Sequence, residues 1–224
     1  MPKPGEISLA HLGVLFLDEL PEFNRAAIET LRQPLEEGCV TIARAAGTFS
    51  YPARFMLIAS MNPCPCGHRG TKTVECRCDD AAVARYVAKL SGPLLDRIDL
   101  QIEVRRVPFD EMVAAAQAES SETIRRRVEA ARGVQQERYR GSGFFCNAEI
   151  PANAVRTHCR LNDEALRLLA AACAKRHFSA RAIDRIARAA RTIADLAGSA
   201  EISVEHVAEA IQYRSLERLD SRAA

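Results

Sequence analysis

The run Gly13-Val14-Leu15-Phe16-Leu17, followed at once by Asp18-Glu19, constrains the fold more than any other feature of this chain. A short continuous apolar run suits a strand buried on both faces, and such strands belong to parallel sheets covered by helices. This strand would deliver two carboxylates at the C-terminal edge of its sheet. A second run, Phe55-Met56-Leu57-Ile58-Ala59-Ser60, ends at Asn62, and Leu100-Gln101-Ile102-Glu103-Val104 predicts a third strand before Val107-Pro108. Between the first two, Asn24 is placed to cap a helix whose Ala27, Ile28, Leu31 and Leu35 share a face, with Pro34 kinking it and Gly38 ending it. Val40-Thr41-Ile42-Ala43-Arg44 and Thr48-Phe49-Ser50-Tyr51, separated by Ala45-Ala46-Gly47, predict a hairpin. The first half is therefore expected to be α/β.

The second half changes to a helical period. Residues 121–138 predict a polar helix, Gly141-Ser142-Gly143 marks a break, Asn162 is placed to cap a helix to Arg176, and Ser203 another to Tyr213. Between them, residues 179–197 put Ile183, Ile186, Ala187, Ala190, Ile193, Ala194 and Ala197 on one face. Arg181, Arg185 and Arg188 fall on the opposite face, where solvated or intersubunit roles are expected for the last two, and Gly198 supplies the stop.

Composition narrows the setting. The 224 residues carry 31 Lys+Arg against 29 Asp+Glu, and the basic excess is concentrated in residues 121–200. No apolar run approaches the roughly 18–20 residues that a membrane helix needs, and Met1-Pro2-Lys3-Pro4-Gly5-Glu6 lacks an apolar signal core. The expected location is the cytoplasm, where eight cysteines read as thiols or metal ligands rather than disulfides.

A hydrophobic strand running into Asp18-Glu19 is the Walker B arrangement of P-loop NTPases. In it the first carboxylate holds Mg²⁺, usually through water, and the second orients the attacking water. The alternative is a strand ending in a solvated acidic turn. The second strand favours the nucleotide reading, because an amide such as Asn62 on a neighbouring strand is what a γ-phosphate sensor requires.

These residues also carry a family resemblance. The segments Pro4-Gly5-Glu6-Ile7-Ser8-Leu9-Ala10-His11, Gly13 to Phe23, Tyr51-Pro52-Ala53-Arg54-Phe55, Met61-Asn62-Pro63-Cys64-Pro65-Cys66-Gly67 and Ser91-Gly92-Pro93-Leu94-Leu95-Asp96-Arg97-Ile98-Asp99 resemble the magnesium-chelatase-like AAA+ ATPases of bacteria, the YifB/ComM group. Ser179-Ala180-Arg181 and Arg191-Thr192-Ile193-Ala194-Asp195-Leu196 extend the match over nearly the whole chain. The resemblance implies an AAA+ motor with a helical lid that uses ATP and Mg²⁺ and forms ring hexamers, and a competence member of the group is a DNA branch-migration helicase. It makes Asp18 and Glu19 the Walker B pair, Asn62 sensor 1, Arg97 the finger inserted toward a neighbouring subunit's γ-phosphate, and Arg181 sensor 2. A surface ion pair between Asp96 and Arg97 is the alternative for the finger. The implied organisation is a partial ATPase core over 1–108, a helical connector over 109–160 and a helical lid over 161–220.

One part of the pattern is missing. A phosphate loop needs Gly-Lys-Ser/Thr after a strand, whereas the only lysines are Lys3, Lys72, Lys89 and Lys175, none preceded by glycine. In the family that loop lies upstream of the Pro-Gly-Glu-Ile-Ser segment, so the chain is expected to be a C-terminal portion that binds and hydrolyses ATP poorly alone. Two further features bear on partners. Cys64-Pro65-Cys66 and Cys76-Arg77-Cys78 offer four soft ligands for one Zn²⁺, with a reduced loop as the alternative. The hairpin falls where some AAA+ relatives track nucleic acid, so Arg44 and Arg54 are candidate DNA phosphate contacts, with a structural hairpin as the alternative. The leading expectation is a branch-migration or helicase motor of natural transformation or recombination. A chelatase-type or MoxR-like motor for metal insertion or protein remodelling is the first rival, and a non-catalytic fragment is the second.

Overall fold

Two parallel strands, β1 (Val14–Leu17) and β4 (Met56–Ala59), form the sheet foreseen from the apolar runs, with Leu15 opposite Leu57 and Leu17 opposite Ala59. The computed structural model describes residues 3–45, 47–71, 74–104, 107, 109, 113 and 119–214. The chain divides into two compact units, the first ending at Ile98 and the second beginning at Asp99.

In the first unit, a short helix α1 (Glu6–Leu9) leads into β1. Asn24 caps α2 (Arg25–Thr30) by accepting from the Ala27 amide at 2.7 Å. The helix does not run through Pro34 with a kink, because it breaks at Leu31 and restarts as α3 (Arg32–Glu37). That restart puts Pro34 in the first turn of α3, where its missing N–H leaves no bond unmade. Gly38 ends α3 at φ +66, a left-handed conformation that glycine adopts without a side-chain clash. Antiparallel β2 (Cys39–Arg44) and β3 (Gly47–Pro52) follow as the expected hairpin, one residue longer at each outer end and at Gly47 beside the turn. Helix α4 (Asp80–Val87), capped by Asp79, and a single turn α5 (Gly92–Leu95) complete the unit.

The expectation that both strands are buried on two faces is corrected by the structure. Val14, Phe16, Met56 and Ile58 all point to one open face, each at least 45% exposed. Alternation makes the reason plain: the described elements of this unit cover only one side of the sheet, so every second side chain stays in solvent. The third strand is also corrected. Residues 100–104 form no strand, and only Gln101 makes an isolated bridge, to Arg214. Leu100, Ile102 and Val104 alternate as a strand would but are exposed, because no extended neighbour is present among the described residues to pair with them.

The second unit is helical, with α6 (Ser121–Arg138), α7 (Ala152–His158), α8 (Asp163–Arg176), α9 (Ala180–Leu196) and α10 (Val204–Gln212). Helix α9 is its axis. Ile186, Ala187, Ala190 and Ala194 of the foreseen apolar face are buried in one core with Tyr139, Ile150, Val155, Cys159, Ala165, Leu169, Ile202, Val207 and Ile211. Alanine at three of those α9 positions lets neighbouring backbones approach closely. Ser120, Asn162 and Ser179 cap α6, α8 and α9 by accepting from amides three residues on. No described helix is long and apolar enough to cross a membrane.

Candidate active site

Parallel pairing of β1 and β4 sets the site. The strands end together, so Asp18 and Ser60 emerge side by side, with the Ser60 amide donating to the Leu17 carbonyl at 3.0 Å. The Ser60 hydroxyl donates to Asp18 Oδ1 in a short hydrogen bond. It also accepts from the Glu19 amide at 3.2 Å, while that amide reaches Asp18 Oδ1 at 3.1 Å. Both bonds to Asp18 fall on Oδ1, which leaves Oδ2 for a cation or its water. The carboxylate chemistry therefore fits Mg²⁺.

Glu19 is held in a left-handed conformation at φ 51, ψ 48. For a non-glycine residue this conformation costs about 1–3 kcal/mol and persists only where the surroundings over-determine it. Here the surroundings are the Asp18–Ser60 pair behind it and the turn Leu20–Glu22 after it, in which Leu20 and Pro21 are buried and the Leu20 amide donates to the Ser60 carbonyl. Glu19 lines a cleft together with Glu22, Asn62, Pro65, Ala82, Arg85, Tyr86 and Lys89. Glu19 and Asn62, predicted from two separate motifs, thus share one cleft. Burial pushes the Tyr86 hydroxyl up, and the bond from the Asn62 amide offsets part of that rise.

Three contributors escaped the sequence. Ser60 was legible only as the end of a strand, because its role comes from register with Asp18. Arg85, exposed on α4, and Lys89, in the turn just past its end, bring two cations to the cleft, and their spacing alone does not distinguish them from any solvated surface. Lys89 also reaches Glu22 at 3.6 Å.

The remaining predicted residues lie elsewhere. Arg97 is buried, its Nη1 donates to the Pro93 carbonyl at 2.6 Å, and its Nη2 pairs with Glu36, 61 positions earlier. It is a guanidinium engaged inside its own unit, neither free at an edge nor confined to a surface pair with its neighbour Asp96. Arg44 sits exposed at the closing pair of the hairpin, opposite Gly47. Arg54 lies past the end of β3, and its stem covers Gly38 so closely that a Cβ there would meet Arg54 Cγ at 2.8 Å. His11 accepts from the Arg54 amide at 3.1 Å, a structural role.

Arg181 stands exposed in the first turn of α9, within the helical unit. The solvated role expected for Arg185 is corrected: its side chain is 15% exposed and pairs with Asp99 at 2.6 Å. Arg188 is partly buried, which together with the Arg185 charge holds its pKa below the usual arginine range. His158 and His206 also have partners that the sequence did not suggest. His158 packs edge-on against Tyr139 and Phe144, and His206 Nδ1 accepts from the Ser203 amide in a capping box.

The four paired cysteines come together. Sγ of Cys64 lies 3.4 Å from Cys66 and 3.7 Å from Cys76, and Cys66 lies 3.6 Å from Cys76. Amides of His68 and Arg77 draw the Cys66 thiol down to about 6. The Cys66 amide pulls Cys78 down as well, but the Cys66 sulfur, burial and the Cys64 sulfur outweigh it and push Cys78 up to about 12.

Residues 1–112 match the family described as magnesium chelatase, subunit ChlI, and residues 118–214 match its C-terminal counterpart. The chain belongs to the magnesium chelatase ChlI family. Within it, the chain is 45% identical over 221 residues to the competence protein ComM of Haemophilus influenzae, a match that covers 98% of this chain and 42% of ComM. It is 42% identical over 221 residues to YifB of Escherichia coli K12, with the same coverage of each chain. The chloroplastic magnesium-chelatase subunit ChlI of Chlamydomonas reinhardtii is 28% identical over 113 residues, covering 50% of this chain and 25% of that subunit. The chain thus spans about two fifths of the length of its ComM and YifB relatives. The α/β architecture of the first unit and the helical second unit are those of this family.

Proposed function

We propose that these residues form the hydrolysis and lid portion of a hexameric, ATP-driven cytoplasmic motor that remodels DNA, as in branch migration. The observation that carries the reading is the shared cleft in which Glu19 and Asn62 meet beside Asp18. The 45% identity to a competence protein directs it toward DNA. Bound Mg²⁺-ATP would supply the γ-phosphoryl group as the electrophile. Asp18 would hold the cation through Oδ2 and water, the Glu19 carboxylate would orient the attacking water and accept its proton, and the Asn62 amide would hold that water in line. Arg85 and Lys89 bring positive charge to the same opening. Arg181, exposed in the first turn of α9, remains the candidate for sensor 2. Arg97 would act on a neighbour's nucleotide only after leaving Glu36. Arg44 at the hairpin tip is the better placed of the two DNA candidates, since the Arg54 stem is engaged over Gly38. These 224 residues hold no Gly-Lys-Ser/Thr, so on this reading they bind and hydrolyse ATP poorly alone.

Membership of the chelatase family favours a second reading, a motor that drives metal insertion. ATP turnover by a protein of ComM length carrying these residues decides between them. Stimulation by branched or single-stranded DNA is expected. Turnover indifferent to every DNA form but raised by a porphyrin-binding protein partner would overturn the DNA assignment.

A further inference from the structure

The cysteine cluster is the strongest feature that the hydrolysis site leaves unused. Cys64 and Cys66 come from the loop after β4, and Cys76 and Cys78 come from the segment before α4. All four sulfurs lie within 4.8 Å of one another, with three separations of 3.4–3.7 Å. A disulfide would bring two sulfurs to about 2.0 Å, and all four cysteines are free. A tetrahedral zinc with Zn–S bonds of about 2.3 Å sets its sulfurs about 3.8 Å apart, close to the spacing found. The sulfurs also have their outer partners in place. Backbone amides of Arg69, His68 and Arg77 point at Cys64 and Cys66, the arrangement that orients thiolate ligands. Cys64 is fully buried, so this is not a loose surface loop.

The cluster is built into the cleft. Cys64 packs in one buried group with Val83, Tyr86 and Val87 of α4, and Met61, Cys66, Cys76 and Cys78 lie against it. Asn62 lies two residues before Cys64, its backbone N–H bonds to the Tyr86 hydroxyl, and a Cβ on Gly67 would lie 3.9 Å from its side-chain amide. We propose that Cys64, Cys66, Cys76 and Cys78 bind one Zn²⁺ as thiolates, and that this ion staples α4 to the end of β4 and so fixes the Asn62 amide beside Glu19. Zinc binding stands on the sulfur geometry alone. The positioning of Asn62 rests on the hydrolysis reading given above. Binding replaces thiol protons by the metal, so the uptake of one Zn²⁺ releases those protons and involves no change of oxidation state.

The test starts with the unmodified chain. Protein made with zinc in the medium and purified without chelator should contain about one zinc per chain by mass spectrometry, released when the thiols are titrated with a mercurial. Cobalt added to the metal-free chain should give the intense thiolate-to-metal absorption of a tetrahedral sulfur site. Cys64→Ser with Cys76→Ser should abolish both signals, and Cys173→Ser should keep them. Unmodified chain that lacks zinc and gives no cobalt spectrum would overturn the site, whatever the variants do. The positioning role is read separately, in the ComM-length protein. A zinc-selective chelator in excess Mg²⁺ should lower ATP turnover at least about tenfold while nucleotide binding persists, and added zinc should restore it. Zinc removed with turnover unchanged would overturn the positioning role and leave the site standing. Turnover absent even with zinc bound would count against the hydrolysis reading instead.

Discussion

Removing the Asp195 carboxylate should strongly destabilise the helical unit. Asp195 has no exposed side-chain surface and is the one anion in a buried network. Arg138 grips it with two bonds at 2.9 and 2.5 Å, Arg191 Nε donates at 3.0 Å, and Asn147 Nδ2 donates at 2.9 Å. Asn147 Oδ1 in turn accepts from the Tyr139 hydroxyl at 2.6 Å, and the Asn147 backbone N–H donates to Gln135 Oε1. Asp195→Ala leaves Arg191, whose side chain is 4% exposed, and Arg138, at 22%, without a counter-charge. Stripping one member from a buried pair costs about 3–5 kcal/mol. Arg138 retains partial access to water, so the lower end of that range, about 3 kcal/mol, is expected. For a unit of roughly 100 residues this lowers the midpoint of thermal unfolding by about 12–24 °C.

Burial alone would raise the Asp195 pKa, but the bonds from Arg138 and Asn147 and the Arg191 charge outweigh it and hold the carboxyl below its usual range. A depressed carboxyl stabilises the fold above its unfolded pKa of about 3.9 and loses that contribution as pH falls through the folded value. The gap between wild type and Asp195→Ala should therefore be full at neutral pH, begin to narrow below about pH 4, and keep narrowing as pH falls through the depressed folded value. Circular dichroism melts at pH 7 and pH 3.5 measure both. A triple variant, Asp195→Leu with Arg138→Met and Arg191→Met, should recover most of the loss, since apolar replacement of all charged members of a buried ion cluster is often neutral. A loss below about 1 kcal/mol at pH 7, or a gap that does not change with pH, would refute the reasoning.

In the ComM-length protein, Glu19→Gln should reduce ATP turnover by about 10² to 10⁴-fold with nucleotide binding retained, and equal loss of binding and turnover would remove Glu19 from the role of base. Ser60→Ala deletes the hydroxyl that joins Asp18 to the Glu19 amide, so turnover should drop about tenfold or more with an unchanged melt, and full activity would show that the left-handed turn holds without it. Arg97→Ala should lower turnover about 10³ to 10⁵-fold if the guanidinium reaches a neighbour's phosphate, and mixing it with Glu19→Gln subunits should then restore part of the activity. Glu36→Gln separates the two roles of Arg97: retained turnover supports a finger that leaves Glu36, and joint loss of turnover and stability assigns the pair to the fold.

The sequence by itself determined the local elements and the chemistry carried at their ends. Apolar runs ending in Asp18-Glu19 and near Asn62 placed two strands, Asn24, Asn162 and Ser203 placed helix starts, and the apolar face of α9 was legible from its period, because each depends on neighbours a few positions away. Tertiary structure decided what those elements meet. The open face of the sheet, the failure of residues 100–104 to become a strand, the pairing of Arg185 with Asp99 and the burial of Arg97 against Glu36 all depend on whether a partner surface is present, and spacing along a chain does not encode that. The same holds for Ser60 behind Glu19, for Arg85 and Lys89 at the cleft and for the Asp195 network. Register and helix packing bring together groups that are distant in sequence, and only the folded backbone determines which charge is desolvated, which residue takes a strained backbone conformation and which sulfurs lie close enough to share a metal.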